Sequence, residues 1–302
     1  MIGTTRSVSF SGTKIKEKLE FIYNEFIYGG HLQSLGASSV VYITSVFLDI
    51  ELKWSSLVAA YLIFYPLYLY NRWKEIEIDY FTNPARTEHL KKYIHIMPIL
   101  FWSVVAAIII FLAYFGNFRS FIFGTILLVL GLLYTTVFKN VTRKIILFKN
   151  IYVAAFFTFL VLFTPVYHSV PISGRTFVAV LVLMLFVFLK SFMMQIFLDL
   201  KDVKCDRKQG LKTLGVMIGE EKTFRILPLI SILVTAPILL IFSLYNHLFS
   251  DLILLLLLTI PFDLYSFKLA QDKNYIGYIL ESGKFLFWAI LIFLGNLLFQ
   301  IA

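Results

Sequence analysis

The sequence predicts an all-α, polytopic membrane protein, with nine transmembrane helices around a central cavity. Three observations carry this. Of 302 residues, 59% are hydrophobic and only 15% are charged, and the mean hydropathy is +0.83; a soluble domain carries about 25% charged residues. Apolar runs recur at about twenty residues, the length that crosses a bilayer as a helix, and backbone polar groups in lipid must be satisfied within each such segment. Lysine and arginine crowd alternate loops, as they do in membrane proteins of defined orientation.

The chain divides into an arm, residues 1–32, and a nine-helix domain, residues 33–302. Residues 1–13 read as loosely attached. From Lys14 to Tyr28, Ile15, Leu19, Ile22 and Phe26 share one stripe, with Lys14, Lys16 and Lys18 beside it. That pattern is an amphipathic helix lying on a membrane surface, and Gly29-Gly30 ends it. The expected spans are about 33–50, 54–71, 94–115, 119–138, 151–170, 175–198, 226–246, 250–269 and 277–300. Pro66, Pro98, Pro165, Pro228, Pro237 and Pro261 fall in or near them, where neighbouring helices tolerate a kink.

Basic residues fall in the arm, after the second span, between the fourth and fifth, between the sixth and seventh, and after the eighth. The other side has only Lys53, Arg119 and Arg175. This places the N-terminus and the long loops on the cytoplasmic side and the C-terminus outside. In a prokaryote the location is the inner or plasma membrane. The net charge of +9 therefore reflects topology, and no nucleic-acid or protein partner is inferred. A single cysteine, Cys205, excludes an intrachain disulfide. The first apolar span begins too late, and lacks the small-residue pattern, for a cleavable signal peptide. The 32 Phe and 17 Tyr suit lipid-facing packing and an apolar cavity lining.

Two acidic clusters stand out. After the sixth span, Asp199, Asp202 and Asp206 are spaced i, i+3, i+7 and continue a stripe from Ser191 and Gln195. At the end of the second span, Asn71, Glu75 and Asp79 are spaced i, i+4, i+8. Each set shares one helical face, and both emerge on the same side of the membrane. Glu75 to Asp202 and Asp79 to Asp206 are each 127 residues apart, which hints at two related halves. Stacked carboxylates repel unless a cation sits among them. Mg²⁺ prefers carboxylate oxygens and shares them with substrate phosphates. A diphosphate bridged by metal ions to both clusters could leave a carbon centre with its charge neutralised, while an apolar tail lies between helices. Lys149, Arg143, Lys204 and Lys208 are the nearby cations that could share that charge. Solvated charges at span ends, or an ion path, are the other readings. Ion paths place acids in the middle of spans, and these lie at the ends.

These residues resemble the UbiA superfamily of intramembrane prenyltransferases. Its first motif, Asn-Asp-x-x-Asp-x-x-x-Asp then Asn-Pro-x-x-Thr, is matched here by Asn71, Glu75, Asp79, Asn83, Pro84 and Thr87. Arg72 and Glu75 depart from it, since both positions are usually Asp. The second motif, Asp-x-x-Asp-x-x-x-Asp then Gly and Thr, is matched by Asp199, Asp202, Asp206, Gly210 and Thr213. The resemblance covers nearly the whole chain. It implies a Mg²⁺-dependent transfer of a polyprenyl group from a prenyl diphosphate to an aromatic or lipid acceptor, in quinone or isoprenoid-lipid biosynthesis. By motif position, Asn71, Glu75, Asp79, Asp199, Asp202 and Asp206 would be catalytic, and Glu75, Asp79, Asp199, Asp202 and Asp206 would take the metal. Lys149, on the loop where the family keeps a diphosphate-binding cation, would hold the diphosphate with Arg143, Lys204, Lys208 and Arg72. The segments 80–92 and 207–224 would cap the cavity and keep water from an allylic cation. Two alternatives remain open: a terpene cyclase of the same superfamily, and a transporter or lipid-binding protein.

Other polar residues read as structural. Lys190, inside the sixth span, points away from the aspartate stripe. Glu281 and Lys284 can pair at i, i+3, with Asp263 in the neighbouring span. Tyr68 and Tyr134 could line the cavity and present ring faces to a cation. His31 carries no assignment.

Overall fold

A computed structural model describes residues 10–245 and 247–301. The helices are α1 (Phe10–Tyr28), α2 (His31–Phe47), α3 (Trp54–Asp79), α4 (Pro84–Lys91), α5 (Met97–Phe115), α6 (Phe118–Thr136), α7 (Phe148–Tyr167), α8 (Gly174–Asp199), α9 (Val203–Gln209), α10 (Leu214–Ile218), α11 (Glu220–Leu240), α12 (Thr259–Gln271), α13 (Ile276–Ser282) and α14 (Lys284–Ile301). No strand occurs among the described residues. Helix α1 already begins at Phe10, so the expected loose arm is shorter than residues 1–13; residues 1–9 lie outside the described residues.

Among the described residues six helical stretches are long and apolar enough to cross a bilayer. They are Ile94–Phe115, Phe118–Thr136, Phe148–Tyr167, Gly174–Gln209, Glu220–Leu244 and Asp251–Gln271. The pair Ile276–Ser282 and Lys284–Leu298, bent by 61°, makes a seventh if taken as one span. The expected count of nine is not reproduced by that measure, because α2 and α3 fall outside it. Helix α2 has 17 residues, many of them Ser and Thr. Helix α3 has no charge from Trp54 to Asn71, but Ser55, Ser56, Tyr61, Tyr65, Tyr68, Tyr70, Pro66 and Asn71 lower its hydropathy there, and Arg72, Lys74, Glu75, Glu77 and Asp79 follow in its last turns. Both helices are central. Helix α2 packs against α3, α7 and α14, and its Ser34, Ser39 and Thr44 hydroxyls donate to backbone carbonyls four residues back at 2.7–2.8 Å. Those bonds satisfy the polar groups where no water reaches. The peripheral α5 instead exposes Ile99, Trp102 and Ile110.

The core is aromatic. Phe157 of α7 stacks on Phe285 of α14 at 4.9 Å between ring centroids, and Phe186 of α8 stacks on Trp288 at 5.3 Å. All four rings are buried. Beside them lies a fully buried charge cluster. Lys190 of α8 donates to Asp263 of α12, and to Ser231 and Thr235 of α11 at 3.3 and 3.1 Å. Lys284 of α14 lies 3.1 Å from the other Asp263 oxygen and also pairs with Glu281 of α13. The expected structural roles of Lys190 and of the Glu281–Lys284 pair are thus met. The second pair also spans the 61° break, which turns α13 away from the axis of α14.

On the opposite flank α1 is tied down by Glu25. Its carboxylate accepts from Tyr93 at 2.7 Å and pairs with His89 of α4 at 2.8 Å and with His31 of α2 at 3.3 Å. His31, unassigned from sequence, also bonds Tyr61. Burial alone would raise the Glu25 pKa, but the bonds from His31, His89 and Tyr93 outweigh it and hold it at about 2, against an ordinary 4.5. Such a depressed value contributes stability that is complete above pH about 4.5 and lost as pH falls through about 2. The α1 attachment should therefore be unchanged on acidification to about pH 5 and weaken progressively below about 4.5, measured by hydrogen exchange of α1 amides. Glu25→Gln should raise that exchange about tenfold at pH 7, since bonds to a charged acceptor contribute ~1.5 kcal/mol or more.

Candidate active site

The two acidic clusters face one another across a cavity of about 300 Å³. Asn71, Arg72, Glu75 and Asp79 line it from the last turns of α3, and Gln195, Asp199, Asp202 and Asp206 from the other wall. The second motif is not one continuous α-helix, as its spacing suggested. Helix α8 ends at Asp199, Leu200–Asp202 forms a 3₁₀ turn, and α9 then carries Asp206. A 3₁₀ turn eclipses residues at i and i+3, so Asp199 and Asp202 stay on the cavity side and the stripe survives the break. Gly210, at φ 71, then caps α9 in the left-handed conformation.

Most of these carboxylates meet cations of the chain. Lys149, at the start of α7, donates to Asp199 Oδ1 at 2.6 Å, and Asn150 donates to Asp199 Oδ2 at 2.7 Å. Arg86 of α4 pairs with Asp79 at 2.8 Å, and Lys201 with Asp202 at 2.9 Å. Asn83 links the two halves, since its Oδ1 accepts from Tyr275 at 3.0 Å and from Lys201 at 3.4 Å. Tyr68 and Tyr134 line the cavity, and so does Cys205, whose Sγ accepts from Gln209.

Three expected diphosphate ligands do not reach the cavity. Lys204 and Lys208 are exposed, on the face of α9 opposite Asp206, because a residue two positions away on a helix points about 200° around it. Arg143 is exposed in the 3₁₀ turn Phe138–Arg143. Conversely, Arg86, Lys201 and Tyr275 line the cavity and Asn150 bonds Asp199, beyond the residues the motifs predict. Arg86 lies inside the Asn83–Thr87 motif and Lys201 between two motif aspartates, but nothing in the spacing says which carboxylate each one meets.

The residues fit the Mg²⁺ that the motifs imply. Asp202 Oδ1 and Asp206 Oδ2 are buried without a hydrogen-bond partner, and both residues line the cavity. Bare carboxylate oxygens are the donors a hard divalent ion takes. Among the described residues, no three His, Cys, Asp or Glu side chains converge into a ready-made cage. That suits a Mg²⁺ ion whose sphere is completed by water and substrate phosphate.

Fold and site together define a multi-pass helical membrane protein with two acidic motifs opposed across one cavity. The UbiA prenyltransferase family model matches residues 35–291, and the chain belongs to that family. It is 32% identical over 152 residues to the digeranylgeranylglyceryl phosphate synthase of Pyrococcus furiosus, a match covering 50% of this chain. The matched stretch spans about half of that relative, 51% of its length. The apo structure of a UbiA homologue from Aeropyrum pernix superposes with a TM-score of 0.60 at 15% identity, over 89% of this chain and 97% of that one. A UbiA homologue from Archaeoglobus fulgidus, solved with GPP and Mg²⁺, gives 0.58 at 11% identity, over 90% and 99%. At these identities the structures establish the shared fold.

Proposed function

We propose that this protein is a Mg²⁺-dependent intramembrane prenyltransferase, moving a prenyl group from a prenyl diphosphate to a lipid acceptor. The observation that carries this is the pair of acidic motifs facing across one cavity, with partnerless Asp202 and Asp206 oxygens on one wall and Lys149 beside them. The name of the Pyrococcus relative supports a glyceryl phosphate carrying one prenyl group as the acceptor.

Bound Mg²⁺ would neutralise the diphosphate against Glu75, Asp79, Asp199, Asp202 and Asp206. Lys149 holds Asp199 in place and presents its ammonium to the departing diphosphate. The allylic C–O bond breaks with its electron pair staying on the diphosphate. The acceptor hydroxyl forms the new ether bond, and its proton passes to a site carboxylate. The apolar cavity wall, including Phe64, Phe156 and Met194, takes the prenyl chain and excludes water from the cation. Helix α1 lies along the membrane surface with Ile15, Leu19 and Ile22 in the lipid, their side chains being about 60% exposed. The N-terminus and the site loops face the cytoplasm.

The test is to incubate the purified protein with labelled geranylgeranyl diphosphate, geranylgeranylglyceryl phosphate and Mg²⁺. Mg²⁺-dependent diphosphate release with a product of the summed mass supports the reading. Release with a cyclised hydrocarbon and no acceptor would make it a cyclase. No release at any prenyl length overturns both. Lys149→Met should lower kcat/KM about 10²-fold, the usual loss for one preorganised donor to developing negative charge.

A further inference from the structure

Arg72 stands where the family's first motif has an aspartate, and the structure gives it an unusual setting. The residue is 4% exposed and lines the cavity. Its Nη1 is buried with no hydrogen-bond partner, and Nη2 reaches Gln33 Oε1 at only 3.5 Å. The guanidinium lies 5.8 Å from the Tyr68 ring centroid. The nearby Asp79 is paired with Arg86 instead, and no ion pair is formed by Arg72 among the described residues. The chain makes room for it: Gly30, at φ +106, lies so close that a Cβ there would sit 2.8 Å from Nη1.

A guanidinium stays charged even when buried, and a buried charge without a counter-ion is costly. The carboxylate that attracts Arg72, Asp79, is already paired with Arg86, so the geometry has a place for an anion from outside the chain. If the proposed prenyl transfer holds, two anions enter this cavity, the donor diphosphate and the acceptor headgroup. Lys149, Asp199 and the partnerless oxygens of Asp202 and Asp206 serve the diphosphate from the α7–α9 wall, with Glu75 and Asp79 opposite them on α3. Arg72 faces the other way, towards Gly30 and Gln33 at the α1–α2 junction, where Ile27 and Tyr28 of the surface helix α1 join the lining. A lipid whose headgroup travels at the membrane surface would reach that wall first.

We propose that Arg72, with Gln33, forms an acceptor subsite that takes the phosphomonoester of a lipid headgroup, so that a cation replaces the aspartate of the family motif to select an anionic acceptor. This deepens the prenyltransferase reading and rests on it for the acceptor's identity. It also moves Arg72 from the diphosphate set, where motif position placed it, to the α1–α2 side of the cavity.

The experiment uses the full chain in nanodiscs and two probes, geranylgeranylglyceryl phosphate and the same lipid without its phosphate. Equilibrium binding is measured without donor or Mg²⁺, followed by KM for each substrate. The wild type should bind the phosphate form at least about tenfold tighter than the alcohol, as one charge-assisted pair implies. Arg72→Gln should bring that ratio near one, and Arg72→Lys should keep part of it. The KM for geranylgeranyl diphosphate should change less than the KM for the acceptor. A wild type that does not discriminate the two lipids, or a ratio that persists in Arg72→Gln, overturns the subsite. An equal rise in both KM values would return Arg72 to the diphosphate. Should Arg72→Gln fail to fold, the wild-type ratio and its fall in Arg72→Lys decide. A chain that binds the phosphate lipid selectively but transfers no prenyl group would refute the proposed reaction and leave the anion subsite standing.

Discussion

Asp199→Ala is expected to lower prenyl transfer by at least about 10³-fold, ~4 kcal/mol of lost transition-state stabilisation. Asp199 is nearly buried and holds two partners, Lys149 at 2.6 Å and Asn150 at 2.7 Å. On the proposed mechanism its removal takes away a carboxylate that would hold Mg²⁺ and also frees the lysine that would meet the diphosphate. Mg²⁺-dependent release of labelled diphosphate is the measurement, with Asp206→Ala expected to behave alike. Lys204→Ala and Lys208→Ala make the contrast. Both sit among the same aspartates in sequence but face solvent, so each should stay within about twofold of wild type, as surface substitutions away from a site do. If Lys208→Ala were as damaging as Asp199→Ala, charge along the segment rather than the cavity geometry would govern the reaction.

Lys284→Met is expected to be the most destabilising single change outside the site. The four charges Lys190, Asp263, Glu281 and Lys284 are all fully buried. With Lys284 gone, one lysine faces two carboxylates where no water solvates them, and breaking a buried pair in this way costs about 3–5 kcal/mol. The expected result is a large drop in the thermal midpoint of the purified protein. The double variant Glu281→Gln, Lys284→Met leaves the Lys190–Asp263 pair balanced and should recover part of the loss. A double variant no better than the single would show that packing of the long Lys284 stem, rather than charge balance, is what matters. Because the Glu281–Lys284 pair spans the break between α13 and α14, loosening it should also disturb Tyr275 and Tyr278, which α13 and the residue before it bring to the cavity.

The amino-acid sequence by itself determined the membrane class, the helical content and both acidic motifs. Apolar runs long enough to cross a bilayer have no other stable outcome than helix, and carboxylates at i, i+3, i+4 and i+7 share a face whatever the rest of the chain does. The Asp199 stripe was legible in that way even though a 3₁₀ turn interrupts it. Tertiary structure decided which cations meet which acids. Arg86 finds Asp79 only because Asn83 and Pro84 turn α4 back onto α3, and Lys149 finds Asp199 only because α7 packs beside α8. It also decided that α2 and α3 sit inside the bundle, where Ser34, Ser39 and Thr44 of α2 donate to backbone carbonyls and the polar end of α3 lines the cavity. Span counting from hydropathy treats every helix as lipid-facing and has no access to that packing. Arg72 shows the same division: as a letter it was a departure from a motif, and only its burial beside Gly30, with a free Nη1 in the cavity, gives that departure a chemical meaning.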